Sequence, residues 1–491
     1  MKKNEIYEGT VIALKFPNKG MVEVIGETAP VLVKNTIPGQ RVRFQLKKAG
    51  KRRVGNLIEV LTPSDCENQI PPCPHFRDCG GCAYQTMDYA NQKNLKLEQV
   101  QALLQRVDAD FPLEECIASP RVWEYRNKME FSFGDEIKDG PLTLGLHKRG
   151  SFYDIVPVTD CRIVDSDIRK IVAATMEFFR EKKIPFYHKM RHEGVLRHLL
   201  VRKAWKTGEL LVCLVTTSFA PIPEKEFCDC LLSLSLTGSY AGILHMINDG
   251  LADVVRAEKT TVLYGHEYFY EELSGLTFKI SSFSFFQTNS AGAEVLYQTV
   301  REYLGDIEGK VVFDLYCGTG TIAQMLAPVA KKVVGVEIVE EAVRAAKENA
   351  LLNQLDNCFF YAGDVGKVIE ELEEIPDTIV LDPPREGIHP KTIRRILDFN
   401  VNRIIYVSCK PTSLARDMEI FLEAGYRPLK AKCVDMFPWT RGIETVVQLV
   451  NIGVKPDYTV RLEVDVDEFY KTVGEEKRHF VKPDQKNKKD K

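Results

Sequence analysis

Five times between residues 311 and 409 the chain runs through a short apolar stretch and stops on a side chain that can do chemistry. The stretches end at Asp314, Glu337, Asp364, Asp382 and Cys409, with helix-length segments between them. Short apolar runs alternating with helical patterns predict a mostly parallel sheet with helices on both faces, and such a sheet binds its ligands at the carboxyl ends of its strands. Asp364 alone fits a helix cap. Five polar residues on one edge describe a site. The last run, Ile404 to Val407, is followed by Ser408, Cys409, Lys410 and Pro411. Proline fits only where the strand has ended and a helix begins, so the thiol lies on the lip of the sheet. Lys410, Arg416 and the helix N-terminus are expected to lower its pKa. The competing reading is a packing cysteine, since free cysteine is among the most buried residue types.

The first run continues through Leu315, Tyr316, Cys317, Gly318, Thr319 and Gly320 to Thr321, a strand, a glycine turn and a helix start. Such a turn lets backbone amides approach a ligand closely. Glu337, seventeen residues beyond Gly320, suits the two hydroxyls of a ribose. Ala323 stands in the third fingerprint place, which leaves a dinucleotide open on spacing. Asp314 argues the other way, because a carboxylate beside the turn repels a pyrophosphate and favours the amino group and sulfonium of S-adenosylmethionine. No Walker lysine follows the turn. S-adenosylmethionine is the expected cofactor.

The remaining chain is long enough for further domains: 491 residues predict two to four. The 44% hydrophobic and 27% charged fractions are those of a globular protein, and no apolar run approaches a membrane span or a leader, so a cytoplasmic location is expected. The net charge of −3 conceals an asymmetry. Residues 1–60 carry twelve Lys/Arg against five Asp/Glu, which leaves the rest at −10. The basic segment reads as short strands at 9–14, 21–25, 31–33, 41–46 and 54–60, broken by turn residues, which predicts a small β-barrel. Its loop at 47–53 holds Lys47, Lys48, Lys51, Arg52 and Arg53, a phosphate-binding candidate or a merely solvated loop.

The thirteen cysteines are too few and too uneven for a disulfide framework. Cys73, Cys79 and Cys82 form C-x5-C-x2-C around the turn Gly80-Gly81, a spacing that lets thiols reach one metal centre. Three thiols leave zinc or an iron–sulfur cubane one ligand short. Cys161 is the best fourth, with Cys66 and Cys116 as competitors, and spacing does not choose between zinc and iron–sulfur. The pattern Leu95, Leu97, Val100, Leu103, Leu104 predicts a helix over 88–105. Basic residues beside aromatic or apolar ones at 125–128 and 144–149 are candidates for RNA contact.

Taken together, the motifs resemble the RNA uracil-5-methyltransferases. They are the cysteine cluster, Ser284-Phe285-Phe286-Gln287-Thr288-Asn289, the turn 314–320, Asp382-Pro383-Pro384-Arg385-Glu386-Gly387, Val407-Ser408-Cys409-Lys410-Pro411, and Asp435-Met436-Phe437-Pro438 followed by Glu444. The likeness spans about residues 5–450 and is strongest to the 23S ribosomal RNA enzymes, which join a TRAM barrel, an iron–sulfur cluster and a methyltransferase fold. It implies an α/β protein with an OB-like TRAM β-barrel at 1–62, a central β-rich iron–sulfur domain at 63–283, and a Rossmann-like class I methyltransferase domain at 284–454. The segment 88–117, read as helical, would pack on the catalytic domain, and 455–491 would be a partly disordered tail. The resemblance implies a [4Fe-4S] cluster on Cys73, Cys79, Cys82 and Cys161. It implies S-adenosylmethionine contacts at Gln287, Tyr316, Glu337 and Asp382, with Asp314, Gly318 and Asp364 nearby, a nucleophile Cys409 and a base Glu444. The expected partner is a single-stranded or flipped-out uridine of ribosomal RNA, with no membrane or DNA contact and a monomeric chain. A transfer-RNA enzyme with the same chemistry is the alternative; a non-catalytic RNA-binding cluster protein is less favoured because Cys409 is retained.

Overall fold

Alternating inward and outward residues at the N-terminus curl Ile6–Lys15, Lys19–Glu23, Val31–Lys34, Arg41–Lys48 and Val54–Thr62 into a closed five-stranded barrel. Val11, Val22, Val31, Val33, Val42, Phe44 and Leu46 fill it. The computed structural model describes residues 1–49, 53–252 and 255–453. Lys51 and Arg52 of the basic loop and the tail 455–491 lie outside the described residues. Within the loop, Arg53 is already paired with Glu27 at 2.8 Å.

A second sheet of seven strands follows, in the order Lys259–Gly265, Ser239–Ile247, Glu209–Thr216, Leu196–Lys203, Lys128–Gly134, Thr143–His147 and Ile155–Pro157. The helices Ser166–Glu181 and Glu224–Leu232 cover it. The hairpin Tyr268–Leu273 and Leu276–Ser281 does not join this sheet. Phe269, Leu273, Phe278 and Ile280 pack in one core with Leu211 and Leu244 of the seven-stranded sheet and Leu296 and Val300 of the helix Ser290–Leu304. Packing is therefore continuous across residue 283, and 1–453 make one compact unit.

The third sheet has eight strands, in the order Cys358–Ala362, Lys332–Glu337, Val311–Leu315, Thr378–Leu381, Arg403–Ser408, Glu444–Asn451, Tyr426–Val434 and Leu113–Ile117. The first five are parallel. Strand order reverses between Val311–Leu315 and Thr378–Leu381, and a crevice opens at such a switch point. The eighth strand corrects the sequence reading. Helix Tyr89–Leu104, capped by the Asp88 carboxylate on the Asn91 amide, ends well before 117, and Leu113–Ile117 pairs in parallel with Tyr426–Val434. Leu-Glu-Glu-Cys-Ile carries too little local signal to read as a strand, because its partner lies more than 300 residues away. No helix among the described residues is long and apolar enough to cross a membrane.

Candidate active site

A cavity of about 1550 Å³ opens at the carboxyl ends of the third sheet. Single small-molecule sites run to roughly 300–1,000 Å³, so this one has room for a cofactor and a nucleotide together. All three sheets' surroundings contribute to its wall: Phe16 from the barrel, Gly81 from the cysteine segment, Arg126 from the approach to the central sheet, and Tyr316, Cys409 and Glu444 from the third sheet. The barrel and the glycine turn between Cys79 and Cys82 thus border the site, while the four thiols themselves lie behind it in a separate core.

At one end the chain is bent tightly. Gly318 and Gly320 have φ of +54° and +72°, and Tyr316, which is not glycine, has +69°. Positive φ in a residue with a side chain is uncommon and concentrates at ligand-binding turns. A Cβ on Gly320 would stand 2.5 Å from the Phe360 ring. Glu337 braces this turn, accepting from the Gly318 amide at 3.1 Å and the Val339 amide at 2.9 Å. Asp314 is buried behind it. One of its oxygens accepts from the Ala323 amide at 2.9 Å, while Oδ1 is buried without a partner. Burial, with Asp382 nearby, raises its pKa to about 8. Burial in the cavity wall raises Asp382 to about 7, although solvent still reaches the side chain. Asp364 heads helix Val365–Glu371 without a capping bond, so its carboxylate is free to face the cavity. The Gln287 carbonyl accepts from Asn127 at 3.0 Å, which ties the motif 284–289 to the central sheet.

At the other end, the ladder register brings thiol and carboxylate together. Ser408 pairs with Thr445 across antiparallel strands, so the next positions, Cys409 and Glu444, stand side by side. Glu444 is 3% exposed and burial holds its pKa well above the usual carboxylate range, with Asp382 adding to the shift and Arg385 opposing it. Cys409 is half-buried, and its pKa is pushed up to about 11, first by burial and then by Glu444 and Asp382. The expectation that Lys410 and Arg416 lower it is overturned. Arg416 turns away to Asp417 and the Glu386 carbonyl, and the Lys410 side chain is exposed. Arg385, within the Asp-Pro-Pro-Arg run, is the cation that favours both charged forms. Tyr297, buried beside Asp382, Asp314, Glu444 and Gln287, is equally unsignalled, since nothing local marks that helix face.

Cys73, Cys79, Cys82 and Cys161 are all buried in one core, and none is in a disulfide. Cys116 lies in a different core, and Cys66 packs near Ile37 and Met87. Arg149, a candidate for RNA contact, instead turns into the cysteine loop and donates to the carbonyls of Phe76, Cys79 and Cys82. Among the described residues no group of three or more His, Cys, Asp or Glu is arranged to hold a metal ion.

A family model described as tRNA (Uracil-5-)-methyltransferase matches residues 245–452. An uncharacterized RNA methyltransferase of Clostridium tetani is 47% identical over 453 residues, covering 91% of this chain and 98% of its own. This chain belongs to the RNA uracil-5-methyltransferase family. A second family relative, an uncharacterized RNA methyltransferase of Caldanaerobacter subterraneus, is 47% identical over 448 residues, covering 91% and 99%. Among solved structures, the Pyrococcus abyssi tRNA (uracil-54, C5)-methyltransferase in complex with S-adenosyl-L-homocysteine aligns with a TM-score of 0.72 and 26% identity, over 90% of this chain and all of that one.

Proposed function

We propose that the protein methylates carbon 5 of a uridine in 23S ribosomal RNA, through a covalent bond between Cys409 and carbon 6. The observation that carries this is the adjacency of Cys409 and Glu444 in the cavity that also holds the glycine turn. S-adenosylmethionine supplies an electrophilic methyl group when bound. The residues present fit it: Asp314, Glu337, Asp382 and Glu444 crowd one cavity, and the unpartnered Asp314 Oδ1 awaits a donor or cation. Carbon 5 of uracil is a poor nucleophile until Cys409, its thiol proton passed to solvent, adds as the thiolate to carbon 6 and moves the electron pair of the 5,6 double bond into an enolate with carbon 5 as its nucleophilic end. Arg385 favours the thiolate that this attack needs. With the methyl group on carbon 5, Glu444 removes the proton there; the released electron pair re-forms the 5,6 double bond as the sulfur leaves. A paired uracil hides carbon 6, so the target is single-stranded or flipped into the cavity.

The same reading assigns a [4Fe-4S] cluster to Cys73, Cys79, Cys82 and Cys161, a donor set of four thiols as such clusters require. It would cross-link 73–82 to the loop carrying Cys161. The barrel and cysteine set support ribosomal RNA by resemblance; the P. abyssi neighbour, named for a transfer RNA, supports the alternative substrate. Mapping 5-methyluridine in ribosomal and transfer RNA from a deletion strain decides. Loss of the mark from 23S RNA is expected; loss from transfer RNA alone overturns the substrate but not the chemistry.

A further inference from the structure

The loop 435–443, which delivers Glu444, makes its bonds to parts of the chain that lie far away in sequence. Lys96 reaches the Asp435 carboxylate at 2.7 Å and the Phe437 carbonyl at 3.0 Å. Asn289 donates to the Met436 carbonyl, Tyr125 to the Pro438 carbonyl, and Arg441 to Asn35 of the barrel. Trp439 is the most constrained member. It is 3% exposed, and its φ of +68° is a conformation that a tryptophan rarely adopts. Each of its polar groups is taken. Its amide donates to Gln92 at 2.8 Å, its indole N–H to the Val122 carbonyl at 2.7 Å, and its carbonyl accepts from the Ala83 and Tyr84 amides at 2.7 and 3.2 Å. The ring stacks on Trp123 at 4.5 Å and 15° and leans on Tyr89, in the core that holds the four thiols. Ala83 and Tyr84 directly follow Cys82.

A carboxylate five residues further on inherits this fixation. Only Thr440, Arg441, Gly442 and Ile443 separate Trp439 from Glu444, and that short span is closed by bonds from the Thr440 hydroxyl to the Phe437 carbonyl and from the Gly442 amide to the Thr440 hydroxyl. We propose that Trp439 is a positioning residue for Glu444, the point at which the cysteine segment holds the proton-removing carboxylate against Cys409. The inference rests on the roles assigned above to Cys409 and Glu444. The loop's tie to the 284–289 motif runs from Asn289 to Met436, whereas Trp439 bonds only to Gln92, Val122, Ala83 and Tyr84, so replacing Trp439 should leave the cofactor end nearly unaffected.

The test uses the full-length protein and RNA isolated from the deletion strain, which carries the unmodified target whichever RNA class it belongs to. Three quantities are read for wild type, Glu444→Gln, Trp439→Ala and Trp439→Phe: S-adenosylhomocysteine affinity by calorimetry, turnover, and the fraction of protein in a denaturation-resistant RNA adduct. Trp439→Phe keeps a stacking ring and loses the bond to the Val122 carbonyl and part of the ring area, a smaller change than Trp439→Ala, so it is the variant that folds if Trp439→Ala does not. Both Trp439 variants are expected to keep the affinity within about twofold while turnover falls, roughly a hundredfold in the alanine variant and less in phenylalanine, as misplacement by about an ångström does. Methylated adduct should accumulate as in Glu444→Gln. A trapped adduct in Glu444→Gln with none in either Trp439 variant, or unchanged turnover, overturns the positioning role alone. No adduct in Glu444→Gln overturns the underlying mechanism and this inference with it.

Discussion

Burial and two carboxylates, Glu444 and Asp382, raise the pKa of Cys409 to about 11. A raised thiol pKa means that the thiolate is scarce at neutral pH and grows as pH rises. Alkylation of Cys409 should therefore be slow at pH 7 and climb well past the pH at which an ordinary thiol, near 8.5, levels off. An S-adenosylmethionine analogue with an ammonium group in place of the sulfonium should shift that profile to lower pH; neutral S-adenosylhomocysteine should do so far less. Mass spectrometry of the labelled peptide checks both, and a profile centred near pH 8.5 in the ligand-free protein would overturn the electrostatic reading. Arg385→Gln should move the profile further up and reduce turnover, by roughly ten- to a hundredfold if the guanidinium acts on the thiolate alone. The acids and the thiol at the strand ends were legible because strand and helix periods are local. The charges that tune Cys409 were not: Lys410 and Arg416 are neighbours in sequence, whereas Arg385 comes from another strand end.

Helix Tyr89–Leu104 presents Gln92, Lys96 and Gln99, all buried, where an amphipathic reading expects solvent. The apolar residues Leu95, Leu97, Val100, Leu103 and Leu104 sufficed to find the helix, but not what its polar face meets. Gln99 accepts from the Asn18 amide of the barrel, and Gln92 and Lys96 close on Asp435. Lys96 and Asp435 are 2% and 0% exposed. Removing one partner of such a pair strands the other charge, so Lys96→Met should destabilise by about 3–5 kcal/mol. Lys96→Met with Asp435→Leu should recover part of that loss. Chemical denaturation of both variants measures it; equal destabilisation of the single and double variants would mean that packing, not charge, dominates.

At the scale of the molecule, three sheets that the sequence presents as successive domains share one cavity. Purified anaerobically, the protein should carry iron and inorganic sulfide; zinc without sulfide would overturn the cluster assignment. Replacing a proposed ligand, as in Cys79→Ser, looks harmless to chemistry if the cysteine segment is a separate domain. Because Ala83 and Tyr84 hold the Trp439 carbonyl, the variant should instead slow turnover while leaving cofactor affinity nearly intact. Deleting residues 1–62 removes Phe16 from the cavity wall and Asn35 from Arg441, so turnover at saturating RNA should fall along with RNA affinity. The loss in salt dependence should be modest, since Arg41, Arg43 and Arg53 are already paired with Glu8, Glu59 and Glu27. The barrel was legible from turn residues at regular spacing; its engagement with the active site was not, because no periodicity encodes which surfaces dock.

The edge strand Leu113–Ile117 also sets a timetable for synthesis. Leu113 pairs with Ala431, 318 residues later. At roughly 5–20 residues per second, the ribosome needs about a quarter of a minute to a minute to deliver the partner. For that interval the strand waits without its sheet partner, and the catalytic sheet completes only after nearly the whole described chain has emerged. A fragment beginning at residue 118 would never receive it. Such a fragment would leave Tyr426–Val434 as an open edge, ready to pair with another copy of itself.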